Sequence, residues 1–217
     1  MEGDRPRVGG RVFLSGAGLL GLIRARHLGR LFCLFGLLIL SANAHADLAA
    51  GLEAYRANDY PVALKQFKPL AEKGNANAQV NLGFLYARGH GVPQDYKAAA
   101  KWYRKAAEQG QSDAQFNLGS LHYDGLGVAR DLKQAAVWYA KAAEFGQIDA
   151  QYNLGLMYVS GQGVPASMQQ AYKWLSIAAA LGDQEAEESK KLAAAKMSRE
   201  EIDAAQALVQ AWWALRK

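Results

Sequence analysis

Apolar residues in the mid-chain recur at helical spacing, interrupted by glycine-rich breaks at fixed intervals. Ala78, Leu82, Leu85 and Tyr86 stand at i, i+4, i+7 and i+8, and Ala99, Trp102, Tyr103 and Ala106 at i, i+3, i+4 and i+7. Each set marks one face of a helix. Between them lies Gly89-His90-Gly91-Val92-Pro93, whose glycines tolerate the left-handed conformation that ends a helix. Asp95 then stands where an N-cap side chain is needed, and Gly110 closes the second helix. The pattern predicts a helix-turn-helix pair.

This unit occurs three times. Residues 78–113, 114–149 and 150–185 align without a gap, and 13 of the 36 columns are identical in all three copies. Such a period marks an array of supersecondary units rather than a single globular core. The caps recur in register as Asp95, Asp131 and Ser167, and the final stops as Gly110, Gly146 and Gly182. Gly83, Gly119 and Gly155 fall inside first helices, where glycine costs about 1 kcal/mol against alanine. Close approach of the second helix, with Trp102, Trp138 or Trp174 over the gap, is the expected compensation. Asn81, Asn117 and Asn153 recur as well, and a ladder of buried amide hydrogen bonds between repeats is expected of them.

The spaced run Ala-x-x-x-Leu-Gly-x-x-Tyr-x-x-Gly-x-Gly-Val-x-x-Asp-x-x-x-Ala-x-x-Trp-Tyr-x-x-Ala-Ala-x-x-Gly, read from Ala78 to Gly110, resembles the Sel-one-like repeat, a relative of tetratricopeptide repeats with a longer interhelical loop. The copies depart from it at His122, Ser167 and Leu175. The fold class expected is all-α, an α/α solenoid of tetratricopeptide-like helix-turn-helix repeats. The resemblance implies a scaffold for protein–protein assembly, often at the cell envelope or as a secreted factor.

The flanks fit this scheme. Residues 47–77 carry a shortened N-terminal repeat through Tyr55, Asp59, Tyr60, Ala63, Phe67, Ala71 and Gly74. Residues 186–217 form a C-terminal helical cap, opened by the capping box Ser198-Arg199-Glu200-Glu201 and sharing a face through Ile202, Ala205, Leu208, Val209 and Trp212. Arrays need such closing helices. Trp212 and Trp213 are read as cap packing in preference to a ligand platform.

The first 46 residues are of another kind. Arg24, Arg26 and Arg30 precede the apolar run Leu31–Leu40, followed by Ser41-Ala42-Asn43-Ala44-His45-Ala46, the order of a signal peptide with small residues at its cleavage site. Cleavage is expected after Ala46, giving a periodic array in the periplasm or outside the cell. The run of about ten residues is short for a membrane span, which needs about 20, so no stable membrane anchor is expected after cleavage. The single cysteine, Cys33, lies in the leader, leaving no disulfide framework beyond it.

Charge changes less than it first suggests. The formal +5 arises mostly in the leader; from Asp47 onward 19 bases face 18 acids. A generic grip on nucleic acid therefore has little support. An enzyme is not expected either: after the leader only His90, in a loop, and His122, on a first helix, remain, and no nucleophile or carboxylate pattern accompanies them. His90 reads as a solvated loop tip and His122 as a packing residue. The glycine pairs Gly89/Gly91, Gly125/Gly127 and Gly161/Gly163 follow helices and lack a Lys-Ser/Thr, so they read as helix stops rather than phosphate cradles. No catalytic residue, metal or cofactor is assigned.

First helices of such arrays line the concave side, where side chains not used in packing can meet a partner. These are Val80, Phe84, Ala87 and Arg88; Phe116, Ser120, Tyr123 and Asp124; and Tyr152, Leu156, Val159 and Ser160. Val80, Phe84, Arg88, Phe116, Tyr123, Asp124, Tyr152 and Leu156 are taken as the partner-binding set. Phe84, Phe116, Tyr123 and Tyr152 would make an aromatic groove suited to peptide anchors, or they pack between neighbouring repeats. Two functions follow: an exported adaptor holding a protein partner at a bacterial envelope, or a glycan-binding accessory of envelope polysaccharide or peptidoglycan assembly that stacks sugars on the groove aromatics.

Overall fold

A computed structural model of the chain describes residues 47–216; the leader expected over residues 1–46 lies outside them. The described residues are helical throughout, without strands. Helix α1 covers residues 47–56. It is followed by α2 (Tyr60–Glu72), α3 (Ala76–Arg88), α4 (Tyr96–Glu108), α5 (Ser112–Asp124), α6 (Leu132–Glu144), α7 (Ile148–Ser160), α8 (Met168–Ala180), α9 (Gln184–Ala194) and α10 (Arg199–Ala214). Each helix from α2 to α8 packs on the next in chain order. This nearest-neighbour packing is that of a solenoid.

The punctuation works as the sequence predicts. Asp95 accepts from the Ala98 N–H at 2.9 Å, Asp131 from Lys133 and Gln134, and Ser167 from Gln170. Gly89, Gly125 and Gly161 cap first helices at φ near +70°, the left-handed region that L side chains avoid. The second glycine of each loop does something else. A Cβ at Gly127 would sit 2.5 Å from the Lys97 nitrogen and closer still to the Tyr96 carbonyl, and Gly91 and Gly163 meet the starts of α2 and α6 likewise. Each loop thus lies directly on the first turn of the preceding second helix, and only glycine permits the approach.

The helix glycines do mark close approach, but not beneath tryptophan. A Cβ on Gly83 would meet the Tyr103 ring at 2.8 Å, and one on Gly119 the Tyr139 ring at 2.8 Å; Gly155 faces Leu175. The tryptophans sit one residue earlier and turn towards the preceding repeat. Trp102 packs against the cluster around Phe67 and Leu82, Trp138 against that around Tyr103 and Leu118, and Trp174 beside Tyr139. Trp174 is buried, whereas Trp102 and Trp138 are half-buried, with Lys105 and Lys141 ammoniums 4.6 and 4.2 Å from their ring centres.

The expected asparagine ladder is likewise displaced by two residues. Asn81 and Asn117 donate within their own helices, to the carbonyls of Asn77 and Asp113. It is Gln79, Gln115 and Gln151 that cross between repeats, donating to the carbonyls of Ala71, Ala107 and Ala143 at 3.0, 3.1 and 3.0 Å. Each bond adds a second donor to a helix-end carbonyl that already accepts the N–H of the closing glycine, Gly74, Gly110 or Gly146. All three glutamines are buried.

At the C-terminal end, α9 takes the place of a fourth first helix, so the expected boundary at residue 186 falls inside it. Ala186 is fully buried in the column of Ala78, Ala114 and Ala150. Lys190-Lys191 then stand where the other copies carry Leu-Gly, so no second helix can close on α9 in the same way. Instead α10, opened by the Ser198–Glu201 capping box, packs back on α8. Trp212 is buried and its indole N–H donates to Glu144 at 3.0 Å. Among the described residues, no helix is long and apolar enough to cross a membrane.

Candidate binding groove

The residues of the expected groove divide sharply. Val80, Phe116 and Tyr152 are core residues, 9%, 0% and 3% exposed, and cannot present a face to a partner. Their column packs towards the following repeat: Val80 meets the cluster of Ala114 and Leu118, Phe116 that of Ala150 and Leu154, and Tyr152 that of Ala186 and Ala193. Phe116 also lies 5.7 Å from Tyr139, ring centre to ring centre. Phe84, Tyr123 and Leu156 are half-buried, and Arg88 and Asp124 are exposed.

These five do not form one continuous aromatic strip. Phe84 belongs to an aromatic group at the N-terminal end of the array, 5.8 Å from Tyr55 and 6.2 Å from His90. His90 is not a solvated tip: its ring stacks on Tyr60 at 4.1 Å with planes 19° apart. The Arg88 guanidinium lies 5.4 Å from the Phe84 ring centre. Tyr123 instead donates its hydroxyl to Gln162 at 2.9 Å, tying α5 to the loop of the next repeat.

Between α3 and α5 the first-helix side opens into a cleft of about 170 Å³, with Phe84, Arg88 and Tyr96 on one wall and Asn117, Ser120 and Asp124 on the other. The sequence explains the opening. Position 120 holds serine where the neighbouring copies hold Phe84 and Leu156, so the middle copy omits the large side chain that would fill the space. The Ser120 hydroxyl is committed inward, donating to the Phe116 carbonyl and accepting from Tyr139 at 3.1 Å. The Tyr103 ring, which lies over Gly83, also lines the cleft, and burial pushes its hydroxyl pKa well above the usual tyrosine range. The cleft has apolar walls with a cation and an anion on opposite sides, which suits an apolar side chain carried on a polar backbone.

The two histidines among the described residues serve structure. His122 is 8% exposed; burial lowers its pKa, partly offset by a hydrogen bond to the Ala129 backbone, and its Nδ1 has no partner. His90 is engaged in the aromatic stack with Tyr60.

Comparison with known proteins agrees with this architecture. The Sel1 repeat profile matches residues 76–111, 112–146 and 148–183, two residues ahead of the copies delimited from identity alone and in step with the helix starts. A Sel1 repeat protein from Oxalobacter formigenes superposes with a TM-score of 0.65 at 36% identity, covering 67% of this chain and 60% of that one. The protective antigen c5321 of uropathogenic Escherichia coli, which displays the same fold, gives 0.56 at 28% identity over 83% of this chain and 47% of its own. The chain therefore spans about half to three fifths of the length of these two structures. Comparison with functionally curated proteins gives no significant match. Three matched repeats coincide with three observed helix pairs, and the chain is a Sel1-repeat protein.

Proposed function

We propose that this protein is an exported, non-catalytic adaptor of a bacterial cell envelope, released from its leader after Ala46 into the periplasm or medium, which holds a protein partner on its first-helix side. The cleft beside Ser120 carries this reading. A repeat array whose middle copy omits a filling side chain presents a defined socket, and Phe84 and Tyr96 at its walls supply apolar contact for an inserted segment. His90 and His122 take part in packing, so among the described residues neither stands in an evident acid–base pair. The glycan alternative loses support in this groove, because Phe116 and Tyr152, two of its four stacking aromatics, are inside the core.

The test is crosslinked co-purification from envelope extracts with Ser120→Leu, which gives the second copy the residue that the third already carries at Leu156. Circular dichroism checks that the variant folds. A protein captured by the wild type and lost by folded Ser120→Leu and by Asp124→Arg supports the adaptor reading and its site. Undiminished capture by both variants overturns the site, and retention of residues 1–46 on the purified protein overturns export.

A further inference from the structure

The near-neutral charge after the leader conceals a segregation by helix. Of Lys and Arg, the first helices α3, α5 and α7 carry Arg88 alone, against Asp113, Asp124 and Asp149. The second helices α2, α4 and α6 are the reverse. Lys65 and Lys101, Lys68 and Arg104, Lys97 and Lys133, and Lys105 and Lys141 are matched pairs at the 36-residue step, and all eight are exposed. On α4 the four bases fall at i, i+4, i+7 and i+8, a single stripe opposite the buried Ala99, Tyr103 and Ala106. Repeat symmetry aligns the stripes of α2, α4 and α6 into one band. Among the described residues none of the eight is in an ion pair.

The band has edges. Along one side run Asp59, Asp95 and Asp131, committed as helix caps, and along the other Glu72, Glu108 and Glu144 at the helix ends. The eight steps from Lys97 to Lys105 rise about 12 Å, so the cationic strip is narrow. It thins on α6, where Val137 stands in the column of Lys101, and ends at α8, where Gln169, Ser176 and the buried Ile177 take the places of bases and the remaining Lys173 is paired with Glu144. A flat bilayer laid on the band would bring the glutamate row against its anionic headgroups. Single-stranded nucleic acid needs open aromatic faces for its bases, and here Trp102 and Trp138 lie under Lys105 and Lys141. A slender carboxylate-bearing chain meets neither obstacle.

We propose that this band docks a linear anionic polysaccharide, which crosses α2, α4 and α6 along the repeat axis and pairs its carboxylates with these ammonium and guanidinium groups. The band lies on the second helices, so it holds or fails independently of the groove. The experiment measures binding of the purified protein, as released from its leader, to polygalacturonate, with neutral dextran as reference, across a salt series. The wild type is expected to bind polygalacturonate and not dextran, with affinity falling steeply as salt rises. Lys101→Glu/Arg104→Glu/Lys105→Glu should weaken binding by at least about tenfold. The charge-matched Lys190→Glu/Lys191→Glu/Lys196→Glu, outside the band, should weaken it by less than about twofold. Lys133→Glu/Lys141→Glu on α6 serves as a second probe if the α4 variant fails to fold, and should also weaken binding. Absence of wild-type binding, equal loss in the charge-matched control variant, or equal competition by phosphatidylglycerol vesicles or oligothymidylate overturns the proposal.

Discussion

Replacing Gly127 by alanine tests how the repeats are joined. Gly127 has φ +69°, and an alanine there carries the left-handed penalty of about 1–2 kcal/mol. The added Cβ also falls 2.5 Å from the Lys97 nitrogen and closer to the Tyr96 carbonyl. These are backbone atoms of the first turn of α4, which the Asp95 cap holds through its 2.9 Å bond to Ala98, so no side chain can swing aside. Overpacking of this kind adds about 1–3 kcal/mol, for a total of about 2–5 kcal/mol. Gly110→Ala isolates the first component: it too has positive φ, at +90°, but its Cβ would meet nothing within 4 Å. Urea unfolding followed by circular dichroism at 222 nm reads the difference. With a slope of about 2 kcal/mol/M, the Gly127→Ala midpoint should lie about 0.5–1.5 M below that of Gly110→Ala. Coincident midpoints would refute the assignment of the second loop glycine to inter-repeat contact.

Three further outcomes follow from the packing. Trp174→Ala should cost about 3–5 kcal/mol by thermal or urea unfolding, and Trp102→Ala less than half of that, because Trp174 is 4% exposed and Trp102 half-buried; equal costs would contradict the burial. Trp212→Phe keeps the ring in place and removes the indole bond to the half-exposed Glu144, so it should cost about 1 kcal/mol and raise hydrogen exchange in α10 before α8; unchanged exchange in α10 would refute the anchor. His122 is held neutral by burial, with Arg104 opposing its protonation and Asp131 and the Ala129 bond favouring it. Its folded pKa lies below the unfolded 6.5, so the unfolded chain takes up a proton first and stability should fall as pH drops below about 6.5. His122→Tyr, the residue of the flanking copies at Tyr86 and Tyr158, should flatten that part of the pH–stability profile, and an unchanged slope would show that His122 is not its source.

The helices, their caps and their stops are legible because each is written locally. Asp95, Asp131 and Ser167 cap, and Gly89, Gly125 and Gly161 stop, through contacts within four residues of themselves. The partner of each helix glycine is not legible, for a definable reason. Trp102 and Tyr103 are consecutive, about 100° apart on α4, and both border the same apolar stripe. Periodicity locates that stripe but not which edge meets the repeat's own first helix. The structure gives Tyr103 to Gly83 and Trp102 to the preceding repeat. A preference for tryptophan as the more buried ring points the wrong way.

The same ambiguity explains the groove. A solenoid repeat has two packing seams, one within the repeat and one between repeats, and on a first helix they lie side by side. Leu82, Leu118 and Leu154 are identical across the copies and declare themselves as core, whereas Val80, Phe116 and Tyr152 vary in size and so resemble a surface adapted to a ligand. They vary because each fits a different neighbour: Val80 the side of Leu118, Phe116 the side of Leu154 with Tyr139, and Tyr152 the side of α9, where Ala186 and Ala193 leave room for the larger ring. Variation along a repeat column therefore has two physical origins, partner contact and inter-repeat fit, and burial separates them. By that criterion Phe84 and Leu156 stay partly open, and Ser120, itself buried, is the small member of their column, beside which a cleft forms instead of being filled. A residue whose smallness leaves space on the first-helix side is a better marker of a binding site than an aromatic whose bulk fills space between repeats.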